Sequence, residues 1–76
     1  MQEREAKLLC KSNDLVSISV SNINSGWIVK ILEKNKHDPD YLISKRSTDP
    51  RTFKTSDAAL RCCHRIGFNK VEVFVG

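Results

Sequence analysis

The chain has 76 residues, three cysteines and a net charge of +4 at neutral pH. That length limits it to one small domain with a modest core, and leaves little room for an enclosed substrate pocket. The longest apolar runs are two or three residues and the first eleven residues are rich in charge, which argues against a membrane span or secretory leader and for a cytoplasmic protein.

Residues 2–11 place Ala6, Leu9 and Cys10 at helical spacing, with Glu3 and Glu5 near the favourable N-terminal end. A helix this short is unstable alone, so residues 1–12 are read as a frayed helix or flexible arm. In residues 15–21, Val16, Ile18 and Val20 alternate with Ser17, Ser19 and Ser21, the pattern of a half-buried strand. Asn22 to Gly26 supplies turn residues for a hairpin. The second strand is expected over residues 27–34. Trp27, Val29 and Ile31 share one face, and Ile28, Lys30 and Leu32 the other, so this strand reads as central or as one covered by a partner. A polar loop closed by Pro39 leads to a third strand over 41–46, antiparallel to the second. Pro50 then breaks the chain, and residues 51–54 form a brief extended segment.

The next helix has the sharpest signals. Thr55 or Ser56 caps it, and Asp57 suits its positive end. At about 100° per residue, Ala59, Cys63 and Ile66 share a face flanked by Cys62 and Leu60, with Asp57, Arg61, His64 and Arg65 opposite. Gly67 stops the helix. Val71, Val73 and Val75 then alternate with Glu72 and Phe74 in a last strand. The order (α)βββαβ predicts an α+β fold over 1–76. Its sheet has three or four strands, antiparallel or mixed, with one amphipathic helix packed on one face. If the last strand pairs parallel to its neighbour, the helix is part of a crossover.

The positive charge is uneven. Basic and acidic residues balance over 1–44, whereas 45–70 holds seven basic residues against Asp49 and Asp57. Lys45, Arg46, Arg51, Lys54, Arg61, Arg65 and Lys70 are therefore the candidate nucleic-acid-binding residues, since neutralising phosphates needs several cations on one surface. No catalytic site, metal site or cofactor is expected. Cys62, Cys63 and His64 are consecutive and point different ways round a helix, unlike a spaced zinc-ligand pair. His37, Asp38 and Asp40 sit in a loop whose Pro and Asp serve the turn, and no phosphate-binding glycine loop or nucleophile elbow occurs. The strand around Val73, Phe74 and Val75 is the candidate for self-association into a homodimer, because an exposed β-prone edge invites pairing.

Gly26-Trp27 opening a strand, and Phe53-Lys54-Thr55 leading into Asp57-Ala58-Ala59, resemble three-stranded-sheet DNA-binding domains. These include the arm-binding domains of phage integrases and plant domains of the same sheet type. The helix–three strands–helix order is also similar to double-stranded-RNA-binding domains, although the strand after Gly67 lies outside both patterns. Pro50 to Thr55 with Asp57-Ala58-Ala59, then Ile66-Gly67 and a valine-rich strand, resembles small partition-associated accessory proteins of bacterial plasmids and integrative elements. That resemblance implies a non-enzymatic accessory protein that binds DNA or docks a larger plasmid-encoded protein.

Overall fold

The computed structural model describes residues 1–44 and 49–75. The elements are α1 (Glu3–Lys11), β1 (Leu15–Ile23), β2 (Gly26–Glu33), β3 (Asp40–Tyr41), α2 (Ser56–Ile66) and β4 (Glu72–Phe74). The four strands form one mixed sheet in the order β3-β2-β1-β4, with β4 parallel to β1 and the other pairs antiparallel. Both helices cover the same face. The fold is thus the expected α+β layer arrangement, with β2 in the interior and two helices, rather than one, on the sheet.

Local chemistry explains each helix end. The Thr55 hydroxyl accepts a hydrogen bond from the Ala58 amide at 3.1 Å, which settles the cap on Thr55. At the other end Gly67 takes a φ of 121°, and the Phe68 and Gly67 amides donate to the carbonyls of Cys63 and His64. Helix α1 ends the same way with Asn13 at a φ of 60°, the Asp14 and Asn13 amides donating to Leu9 and Cys10. Far from being an isolated arm, α1 buries Ala6 completely and rests Leu9 and Cys10 on the core.

The core lies between the helices and the sheet. Ile18 and Val20 of β1, Val29 and Ile31 of β2, and Leu42 meet Ala59, Cys62, Cys63 and Ile66 of α2, with Met1 and Phe53 closing the sides. Burying each large apolar side chain contributes about 1.5–3 kcal/mol. Cys63 is a core residue, as its place on the apolar helix face predicts, and Cys62 joins it there. The sheet face away from the helices carries Ser17, Ser19 and Ser21 opposite Leu32, Lys30 and Ile28.

Two expectations need correction. Leu15 pairs with Glu33 while Ser17 pairs with Leu32, so Val16 is the extra residue of a β-bulge. The bulge brings Leu15 against the core and leaves Val16 exposed, breaking the simple alternation. Of the third strand expected over 41–46, residues 45 and 46 lie outside the described residues, and within 41–44 the ladder stops early. That ladder with β2 covers Asp40 and Tyr41, Leu42 adds one bond to Val29, and the place beside the start of β2 goes to Phe53. Trp27 and Phe53 exchange two backbone hydrogen bonds of 2.8 Å, so the extended segment after Pro50 continues the sheet where β3 leaves it.

No helix among the described residues is long and apolar enough to cross a membrane.

Gly26 follows the two-residue turn Asn24-Ser25 at a φ of 141°, and a Cβ there would lie 2.4 Å from the Phe53 carbonyl oxygen. A side chain would therefore push the Phe53 segment off β2 as well as strain the backbone. Gly26→Ala should lower stability by about 1–3 kcal/mol. A urea melt checks this: the midpoint should fall, and an unchanged midpoint would mean the segment yields freely.

Candidate functional site

The helix layer holds the densest charge chemistry of the molecule, and it is organised by Glu3. Seating Ala6 on the core turns the first turn of α1 toward α2. There, Arg65 donates to Glu3 Oε1 at 3.2 Å, the Cys62 thiol donates to the same oxygen at 3.2 Å, and Arg51 approaches it at 3.8 Å. Lys7, one turn along α1, reaches the other oxygen at 3.3 Å. Partial burial disfavours the ionised carboxylate, but hydrogen bonds from Arg65, Cys62 and Lys7 and the charge of Arg65 outweigh it. Together they hold the Glu3 pKa down at about 2. Burial, and then the hydrogen bond and charge of Glu3, push the Cys62 thiol up to about 12, while burial raises Cys63 to about 11. Neither is a thiolate at neutral pH, so neither is a ready nucleophile.

Two clefts open beside this cluster. One, of about 990 Å³, is lined by Gln2, Glu3, Arg4, Lys7, Ile43, Ser44 and Arg51. The other, of about 340 Å³, runs between the helices and is lined by Arg4, Lys7, Leu8, Lys11, Arg65 and Ile66. Arg4 and Lys7 border both. Arg4, Lys7 and Lys11 stand at i, i+3 and i+7, a single stripe along α1. The joined surface thus carries five cations, with Glu3 as the one carboxylate in its lining. Arg51 and Arg65 are not used up by Glu3, because a guanidinium has five donors. A cleft of about 620 Å³ between β1 and residues 68–72 has Lys70 and Glu72 as its charged lining, which offset each other.

The strip proposed from sequence is divided in space. Arg51 and Arg65 join the cationic surface, Arg51 also lying 4.7 Å from the centre of the Phe53 ring. Arg61 pairs with Asp57 at 3.1 Å on the exposed side of α2. Lys54 is exposed before α2, and Lys70 lies at the sheet-edge cleft. Lys45 and Arg46 lie outside the described residues. Sequence reasoning missed Arg4, Lys7 and Lys11, since a charge balance over residues 1–44 cancels them against Glu3 and Glu5 of the same helix and acids farther along. Their helical spacing was the available signal. Asp40 turns toward the Met1 amino group at 3.6 Å. Among the described residues, no three His, Cys, Asp or Glu side chains gather as a metal-binding group. Val73, Phe74 and Val75 are exposed at the sheet edge.

Comparison with protein-family models, curated proteins and solved structures finds no match to this chain.

The low pKa of Glu3 ties stability to acid. A carboxylate whose folded pKa lies near 2, against an ordinary 4.5, contributes stability that is complete above about 4.5 and is lost as pH falls toward 2. After allowance for solvent screening, that contribution is about 1–2 kcal/mol. Glu3→Gln should cost about this much at pH 7 and flatten the fall in stability between pH 4.5 and 2. Denaturant melts across that range decide the point. An identical acid slope in the variant would show that another carboxylate governs it.

Proposed function

We propose that this chain is a small, non-enzymatic, cytoplasmic nucleic-acid-binding protein that contacts phosphates through the cationic surface between α1 and α2. The observation that carries the reading is that Arg4, Lys7, Lys11, Arg51 and Arg65 line two adjoining clefts whose only carboxylate is Glu3, which pairs with three of them. Cations held this close release counterions from a phosphate backbone when they replace them. The resemblance to plasmid and integrative-element accessory proteins favours DNA as the nucleic acid and a mobile-element setting. Phosphate contacts carry no base information, so affinity should vary little with sequence.

Fluorescence anisotropy with a labelled DNA duplex tests this. Binding should be present at low salt and fall steeply as salt rises. The triple change Arg4→Ala, Lys7→Ala and Lys11→Ala should weaken it by roughly tenfold or more, and should reduce the salt slope by about 2–3. Changing Lys54 and Lys70 to alanine should do much less. Absence of binding at low salt, or equal effects from both sets, would overturn the reading.

A second reading, a protein-interaction module or homodimeric adaptor, draws on a different observation: the apolar edge at β4. Assembly insensitive to salt, with no DNA affinity, would favour it.

A further inference from the structure

The two edges of the sheet differ. Beside β3, the Met1 amino group donates to the Tyr41 carbonyl at 3.0 Å and the Ile43 amide donates to the Met1 carbonyl at 2.7 Å. The Arg51 backbone amide donates to the Leu42 carbonyl, and Phe53 occupies the remaining place against Trp27. That edge is covered by the chain's own backbone. Among the described residues, strand β4 is outermost on the other side, paired to β1 through Glu72, Val73 and Phe74. It is also apolar: Val73, Phe74 and Val75 are 42%, 53% and 79% exposed, and Val16 of the neighbouring β1 is 59% exposed. An uncovered apolar edge is a template for another strand, and such edges are ordinarily blunted by charge or proline.

We propose that β4 pairs antiparallel with β4 of a second copy of this chain, giving a closed two-fold dimer with a continuous eight-stranded sheet. This inference is independent of nucleic-acid binding. Three features select a second copy as the occupant. Head-to-tail pairing would need the β3 edge, which is already covered, so only the self-paired, closing arrangement is open to a copy. The strand is also self-complementary. With Val73 opposite its own counterpart, Val71 lies across from Val75 of the second copy on one face, and Glu72 across from Phe74 on the other. That register gives each of Val73, Phe74 and Val75 a cross-strand partner. The next two-fold register, centred on residue 72 after a slide of two residues, would set Glu72 directly against Glu72, which is unfavourable. Finally, Val73, Phe74 and Val75 make little use of the monomer's own core, so they are available for pairing.

An interface confined to one strand edge is small, below about 1,200 Å², so the dimer belongs to the weak, concentration-dependent class. Sedimentation equilibrium over a wide concentration range is the test. The mass should rise from monomer to dimer and stop there. Phe74→Lys with Val75→Lys should remain monomeric while keeping the wild-type circular dichroism spectrum. A wild-type chain that stays monomeric throughout overturns the proposal, leaving the edge to a strand from another protein. Growth beyond the dimer overturns it as well, as does a folded double variant that still dimerises. Should the variant fail to fold, hydrogen exchange of the wild-type protein decides. Those amides of residues 73–75 that face away from β1 should become protected at dimer concentrations, and unchanged exchange there would contradict the pairing.

Discussion

The Glu3 carboxylate fixes the relation between the two helices, and the cationic surface follows from that relation. Its partners Arg65 and Cys62 lie 62 and 59 residues away in the chain. A nine-residue helix does not hold itself together in water, and α1 depends on Ala6, Leu9 and Cys10 lying on the core and on this polar clamp at its first turn. The clamp is partly exposed, so its energetic contribution is modest. Its positional effect is larger. It sets the stripe of Arg4, Lys7 and Lys11 beside Arg65, and leaves the remaining guanidinium donors facing the clefts.

The same clamp explains why like charges tolerate this crowding. Five cations in adjoining clefts repel one another, and a single carboxylate shared among Arg65, Arg51 and Lys7 offsets part of that repulsion. The arrangement remains strongly positive, which is the property a phosphate ligand would sense. The apolar β4 edge draws on a separate set of residues. A dimer formed there would carry two copies of the cationic surface, lengthening the footprint available to an extended polyanion.

Local patterns made much of the fold legible. Thr55, Asp57 and Gly67 mark the limits of α2, and its 3.6-residue periodicity selects Ala59, Cys63 and Ile66 as the buried face. Apolar residues on both sides of β2 mark it as interior, as the strand order shows. What was not legible depends on non-local geometry. The bulge at Val16 is a matter of register between two strands, and β3 ends where Phe53 takes its place beside β2. The candidate site was legible only in part. Arg51 and Arg65 were found from charge density, but a count along the chain cannot show that both turn to Glu3. It also cannot show that α1 brings three further cations to the same surface.

Mapping a short DNA duplex onto the protein by backbone amide NMR shifts tests the central claim most directly. The account predicts shifts concentrated in α1 from Arg4 to Lys11, at Arg51 and near Arg65, disappearing together as salt is raised. Shifts confined to Lys54, Arg61 and Lys70, or to the sheet face around Lys30 and Tyr41, would contradict it.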